Sequence, residues 1–227
     1  MKFRGSFTAA FAHCQNINFS TLDWNGIEDA MHGLINRSIE GFLRHTYGDA
    51  FWRGVAEASG IDPRGFQTIR EYPDALSHAL INNAALQLDK PETELLEDLG
   101  AWLARLESVR RLLRFSGRDF GEFLMTLDEL PGRAHMVIPD LGMPRMQVTA
   151  APGGAMGASI RVVMPDCFQE WRSVMAGLIR AMDDDYGALG LIGVEGTAVT
   201  VQVSDNSFCE GRSFSLGAQP MARPAPA

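Results

Sequence analysis

Lysine, cysteine and tyrosine are scarce in this chain, and it has no long apolar run. Lys2 and Lys90 are the only lysines, so arginine supplies nearly all of the positive charge. The 3 cysteines are far apart in the sequence, which excludes a disulfide scaffold and an all-cysteine zinc site and predicts a reducing, cytoplasmic location. No segment approaches the roughly 20 apolar residues that a membrane-spanning helix needs, so we expect no membrane partner.

The remaining composition is that of an ordinary globular protein. The chain has 227 residues, of which 46% are hydrophobic and 21% charged, enough to bury a core without metals or disulfides. The formal net charge is −8. Because nucleic-acid-binding domains usually carry a basic patch, this acidic balance predicts that nucleic acid is not a partner.

The two ends of the chain differ from its centre. Residues 1–30 show no useful helix or strand period, so we expect a disordered extension or a start assigned too early, with Met31 as the true start. We expect residues 218–227 to form a disordered tail, because this segment is rich in proline and alanine. A single domain is predicted between them, over residues 31–217.

Helical periodicity dominates the first part of this domain. Apolar residues recur at helical spacing over 32–46, and Gly48 is a suitable end for that helix. Further helices are predicted at Phe51–Ser59, Tyr72–Leu88, from Lys90, at Val109–Phe115 and at Phe120–Leu130. Pro131 and Gly132 are predicted to interrupt the pattern.

The second part alternates apolar and polar residues, as half-buried strands do. Strands are predicted at Arg145–Thr149, Ser159–Met164, Leu189–Val194 and Ala198–Val203, with a long helix at Cys167–Tyr186. The predicted fold is therefore α+β: an N-terminal helical subdomain followed by a small antiparallel sheet on which one long helix packs.

No pattern in the chain favours an enzyme. The glycines of 153–157 lack the Lys-Ser/Thr of a phosphate-binding loop. The run Asp183–Asp185 is more typical of a solvated helix end than of a metal site, and Asp74 with His78 would supply only two ligands. Cys167 and Cys209 have no adjacent histidine, so buried, inert thiols are predicted.

A family resemblance begins at Met31. The segment Met31-His32-Gly33-Leu34-Ile35-Asn36-Arg37, with Tyr47-Gly48-Asp49 and Trp52, resembles the start of the heme NO-binding (H-NOX) domain. Leu112–Gly117, Phe120–Leu130 and Gly177–Met182 are similar to later parts of that domain. The resemblance spans about residues 31–217 and implies the same α+β order of elements.

The resemblance also implies a function. Domains of this family hold heme b through one proximal histidine and sense NO or O₂, and a partner kinase or cyclase reads the change. A Tyr-x-Ser-x-Arg motif binds the heme propionates, for which an arginine fork is well suited. The resemblance therefore implies a gas-sensing domain with a heme cofactor that signals in trans to a protein partner.

This sequence departs from the family at both heme anchors. The family's proximal histidine directly follows the Asp-x-Leu stretch, but here Asp128-Glu129-Leu130 is followed by Pro131. The propionate motif should fall near Met164–Gln169, which reads Met-Pro-Asp-Cys-Phe-Gln. The 3 tyrosines are Tyr47, Tyr72 and Tyr186, so no shift of register restores the motif.

One histidine is the candidate replacement for the proximal ligand. His135 lies four positions after Pro131, about one helical turn if a helix persists there. His32 and His45 lie near the family's distal side, and Cys167 could supply a thiolate. Five methionines surround the presumed pocket and could instead fill it: Met125, Met136, Met143, Met146 and Met164.

Two hypotheses remain open at this point. The chain is a heme-based gas sensor with His135 as the relocated axial and metal ligand, or it is a heme-free, divergent H-NOX fold. In the second case it binds another apolar ligand, or only a protein partner, in the space that heme would occupy.

Overall fold

The computed structural model describes residues 30–138, 141–151, 158–166 and 169–205. Two short strands and six helices come first, followed by four strands and one long helix. Their bounds are β1 Ala30–His32, α1 Gly33–Ala58, β2 Glu71–Pro73, α2 Asp74–Leu88, α3 Glu92–Arg105, α4 Glu107–Arg114, α5 Phe120–Met125, a 3₁₀ turn Leu127–Glu129, α6 Leu130–Val137, β3 Gln147–Ala151, β4 Ala158–Val163, α7 Gln169–Tyr186, β5 Leu189–Glu195 and β6 Ala198–Asp205.

The predicted α+β order is confirmed. β3, β4, β6 and β5 form one antiparallel sheet in that spatial order, and α7 packs on the face that carries Ile160, Val162, Val199 and Val201. Among the described residues, no helix is both long enough and apolar enough to span a membrane. The expectations for residues 1–29, for the tail and for Cys167 and Cys209 concern residues outside the described ranges.

Gly48 divides the first long helix into two. Its φ of 88° and ψ of 165° are not helical, and the chain resumes a helical course directly afterwards. Glycine adopts this left-handed φ at little cost, because it has no Cβ. The two helices predicted on either side of Gly48 are therefore both present, as the two arms of the kinked element α1.

Three local expectations are wrong. The helix predicted over Phe120–Leu130 ends at Met125 and is followed by the 3₁₀ turn Leu127–Glu129. Tyr72 and Pro73 lie in β2, which pairs antiparallel with β1, so the next helix begins at Asp74 and not at Tyr72. Pro131 does not interrupt the helical pattern, because it lies in the first turn of α6. Proline is tolerated there since the first turn needs no backbone N–H for an intrahelical hydrogen bond.

The buried apolar residues form two clusters. The helical cluster lies among α1, α2 and α3, and the sheet cluster lies between α7, the sheet and the segment from α4 to α6. The largest members of the helical cluster include Phe42, Leu43, Trp52, Leu80 and Leu95. Those of the sheet cluster include Leu113, Phe120, Phe123, Leu124, Leu127, Met164 and Met175.

Helices α3 and α7 connect the two clusters through an unusually close crossing. A Cβ added to Gly100 would lie 1.9 Å from the Val174 carbonyl oxygen, and one added to Gly177 would lie 1.8 Å from the Glu97 carbonyl oxygen. Val174 itself packs against the helical cluster, whereas the neighbouring Met175 belongs to the sheet cluster. The crossing therefore fixes the position of one cluster relative to the other.

Candidate functional site

The first turn of α6 is where the family's proximal histidine would lie. Leu130 is 5% exposed and belongs to the sheet cluster, and Pro131 beside it is half-buried. Proline has neither an imidazole nor a backbone N–H. The first turn of α6 is therefore helical, but the Leu130 and Pro131 side chains offer no atom that could bind a metal ion.

His135 lies on the same helix, one turn after Pro131, and its side chain is exposed. Its neighbours Met136 and Val137 are 78% and 72% exposed. Because α6 continues through Gly132, His135 lies on the same face of the helix as Pro131. The assignment of His135 as the axial ligand stays a prediction.

The other described histidine side chains also lie outside the apolar clusters. His78 is exposed on α2, with Asp74 one turn before it. His45 is exposed on α1, and its Nδ1 accepts a hydrogen bond from Trp102 Nε1 at 3.1 Å. None of the three histidines whose side chains the structure describes is buried, and the described residues contain no group of three metal-binding side chains.

The segment expected to hold the propionate motif has a different role here. Met164 is 1% exposed and belongs to the sheet cluster, and its backbone N–H donates to Thr197 O at 2.9 Å. Asp166 is exposed, and the two residues after it lie outside the described ranges. Residues 164–166 therefore fill the core and close the sheet, and their side chains offer no hydrogen-bond donor for a carboxylate.

An arginine that the sequence analysis missed lies close by. Arg172 is only 6% exposed, and its guanidinium donates to the carbonyl oxygens of Gly196 at 2.7 Å, Asp166 at 2.8 Å and Pro165 at 3.2 Å. These bonds join the start of α7 to the β5–β6 turn and to the end of β4. Because both terminal NH₂ groups donate to backbone oxygens, Arg172 has a structural role, although its buried Nε has no hydrogen-bond partner among the described residues.

The tyrosines are committed to structural contacts as well. The Tyr72 hydroxyl accepts from Gln67 N at 2.8 Å, and the Tyr186 hydroxyl donates to Gly117 O at 2.8 Å. Burial raises the pKa of the Tyr186 hydroxyl, and it also raises the pKa of the Tyr47 hydroxyl. The family's heme anchors are therefore not reproduced by the described residues, and this donor set does not fit a heme held through those anchors.

The acidic end of α7 is more structured than a solvated helix end. Asp183 is 8% exposed and its Oδ2 accepts from Gly190 N at 3.1 Å, and Asp185 accepts from Arg110 Nε at 2.9 Å. Burial raises the pKa of Asp183, against the opposing effect of the Gly190 N–H. The prediction of a solvated end is thus wrong for two of the three carboxylates, and only Asp184 is exposed.

The methionines around the presumed pocket divide into two groups. Met146 and Met164 are 5% and 1% exposed and pack in the sheet cluster, with Met143 partly buried against it. Met125 and Met136 are 45% and 78% exposed. Of the five methionines that were predicted to fill the presumed pocket, only some therefore pack in the core.

Comparisons with known proteins agree with this fold. A model of the Haem-NO-binding family matches residues 32–157. Soluble guanylate cyclase gcy-31 of Caenorhabditis elegans is 31% identical over 118 residues, which are 50% of this chain and 17% of that protein. Soluble guanylate cyclase 89Db of Drosophila melanogaster is 24% identical over 122 residues, or 52% of this chain and 18% of that protein.

Solved H-NOX structures share the fold at low identity. An oxygen-binding H-NOX domain related to soluble guanylate cyclases superposes with a TM-score of 0.56 at 18% identity, over 77% of this chain and 96% of that one. A mutant H-NOX protein from S. oneidensis in the Fe(II) ligation state gives 0.66 at 14% identity, over 79% of this chain and 99% of that one.

The chain spans less than a fifth of the length of these guanylate cyclases. The family match covers more than half of the 227 residues. Because the family model, the sequence relatives and the H-NOX folds agree, the chain belongs to the Haem-NO-binding (H-NOX) family.

Proposed function

We propose that this chain is a divergent H-NOX sensory module that does not hold heme through the family's usual contacts. It signals by binding an apolar small molecule or a protein partner. The observation that carries this proposal is Pro131, which is half-buried in the first turn of α6 where the family has its proximal imidazole. A helix that starts with proline there keeps the fold and loses the iron ligand.

The propionate side supports the same proposal. In place of a hydroxyl and a guanidinium aimed at carboxylates, the described residues supply a core methionine, Met164, and an arginine, Arg172, that donates to backbone carbonyls. Both terminal NH₂ groups of Arg172 serve backbone carbonyls, so a heme carboxylate could take these hydrogen bonds only at the expense of those carbonyls.

A second candidate function is the heme-based sensor of NO or O₂ that the family name describes. It is favoured by the continuity of α6, which brings His135 one turn beyond Pro131 on the same helix. Heme would supply the gas-binding iron, with His135 as its protein ligand, and a partner protein would read the change. No catalytic role is proposed for this chain in either case.

The two candidates are separated by adding hemin to folded protein. The first predicts weak, non-saturating absorbance changes that are the same in wild type, in His135→Ala and in the control variant His78→Ala, whose histidine is exposed on α2. The second predicts a saturable Soret band at one heme per chain that shifts with NO after reduction. That band would be lost in His135→Ala and kept in His78→Ala, an outcome that would overturn the first proposal.

A further inference from the structure

A groove on the outer side of the helical part lies beside the helical cluster, and the buried Phe42 of that cluster is among the residues that line it. It has a volume of about 650 Å³ and lies between α1, α3 and α7. Helix α3 buries Leu95, Leu99 and Gly100 in the protein, whereas Trp102 and Arg105, on another face, line the groove. The volume lies within the range of small-molecule sites, roughly 300–1,000 Å³.

The wall of the groove is an indole ring held in one position. Trp102 Nε1 donates to His45 Nδ1 at 3.1 Å, and the Trp102 ring lies 6.0 Å from the buried Phe42 ring, measured between centroids. The hydrogen bond satisfies the polar atom of the indole, so its apolar surface is what remains for a ligand. Ala101 and Leu106 extend this apolar lining.

The charges around the groove are paired, with one exception. Arg180 pairs with Glu97 at 2.7 Å, and Asp98 pairs with Lys90. Within the described residues, the exposed guanidinium of Arg105 forms no ion pair. Because Arg105 lies three positions after Trp102, the two side chains are neighbours on one helix face.

We propose that this groove binds a small aromatic carboxylate. The aromatic ring lies against the Trp102 indole, and the carboxylate accepts charge-assisted hydrogen bonds from Arg105. A cationic ligand is disfavoured, because Glu97 and Asp98 are already neutralised by Arg180 and Lys90 while Arg105 would repel it. The inference goes beyond the proposed function and does not depend on whether heme binds, since neither Pro131 nor His135 lines the groove.

The role of the ligand's carboxylate is tested with 1-naphthoate as the probe. Binding is measured by calorimetry and by the shift of the Trp102 indole N–H resonance in ¹H–¹⁵N spectra. That resonance is assigned from its loss in Trp102→Phe. Wild type is expected to bind it, and the neutral analogue 1-naphthalenemethanol at least about 10-fold more weakly. Arg105→Gln should weaken naphthoate binding by a similar factor. The matched variant Arg53→Gln, which removes an exposed arginine of α1 outside the groove, should bind as wild type does.

The location is tested by filling the groove from its exposed rim. Thr46→Phe places a ring over the opening without changing a buried residue, and Thr93→Phe makes the same change outside the groove. Naphthoate binding should be lost in the first variant and kept in the second. The proposal is overturned if wild type does not bind naphthoate at millimolar concentration, or if Arg105→Gln or Thr46→Phe binds it as wild type does.

Discussion

Gly100 of α3 and Gly177 of α7 each face the backbone of the other helix, at a place where a single methyl group would overlap a carbonyl oxygen. The oxygens concerned belong to Val174 and Glu97. Since α3 carries the helical cluster and α7 carries much of the sheet cluster, this contact determines how the two parts of the domain lie together.

Gly100→Ala is predicted to destabilise the protein, because its Cβ would lie 1.9 Å from Val174 O and the helices would have to separate. We expect a loss of about 1–3 kcal/mol in the free energy of unfolding, measured with urea. Gly132→Ala on α6 is the control, since a Cβ there meets nothing within 4 Å. It should be neutral or stabilise slightly, as alanine favours helices. Equal stability of the two variants would contradict the close crossing.

Arg172→Leu is predicted to destabilise the fold, because the carbonyl oxygens of Gly196, Asp166 and Pro165 would lose their donor together. We expect a loss of about 2 kcal/mol in urea unfolding, because three partly buried hydrogen bonds from a charged donor are lost together. Arg180→Leu on the same helix removes an arginine that is about half exposed and should cost less than about 1 kcal/mol. A small effect of Arg172→Leu would show that these bonds are replaceable.

Stability is predicted to depend on pH through Asp183. Burial raises the pKa of this carboxyl, so the folded state favours the neutral form more than the unfolded state does. The associated stability is present below the unfolded pKa of about 3.9 and is lost as the pH rises through the higher folded value.

Asp183→Asn is therefore expected to be more stable than wild type at pH 7 and to lack this loss between about pH 4 and neutrality. The amide oxygen can still accept from Gly190 N. Asp184→Asn removes the adjacent, exposed carboxyl and should retain the pH dependence. Parallel pH profiles of wild type and Asp183→Asn in thermal unfolding would count against the role of Asp183.

Pro131→His restores an imidazole at the position that follows Asp128-Glu129-Leu130. Because Pro131 is half-buried in the first turn of α6, the new side chain would lie beside the sheet cluster. We predict that the variant retains more heme per chain than wild type after expression with added heme precursor. Gly132→His, at the exposed next position, should not. Equal heme content in all three proteins would show that the missing imidazole is not what limits heme binding.

Much of the fold could be predicted because the amphipathic pattern is local. The helices around Leu80 and Leu99 and the strands around Val162 and Val201 follow the spacing of residues that turn out to be buried. A helix or strand with one apolar face has few other ways to bury it, so the pattern alone was sufficient there.

The remaining features depend on contacts between distant segments. β1 and β2 are three residues each and are defined by their pairing, as in Met31 opposite Tyr72. Helix α6 can include Pro131 because it begins at Leu130, so that the proline lies in its first turn and not in its interior. The buried Arg172 has hydrogen-bond partners 24 and 7 residues away, for which no local pattern gives a signal.

The same reasoning applies to the candidate site. The loss of the proximal histidine and of the propionate motif was visible in the sequence, because it is a matter of residue identity at Pro131 and near Met164. The groove beside Trp102 was not visible, since it brings His45 of α1 next to a side chain 57 positions away. Residue identity could be read directly, whereas the juxtaposition required the structure.

The most direct test of the central claim is the heme content of the wild-type chain, expressed with heme supplementation and purified as folded protein. The pyridine hemochrome assay gives heme per chain, and the absorption spectrum is recorded as purified and after dithionite and NO. Because the family's iron ligand is absent, we expect far less than one heme per chain and no NO-dependent shift of a Soret band. Close to one heme per chain, with a Soret band that shifts on adding NO, would contradict it.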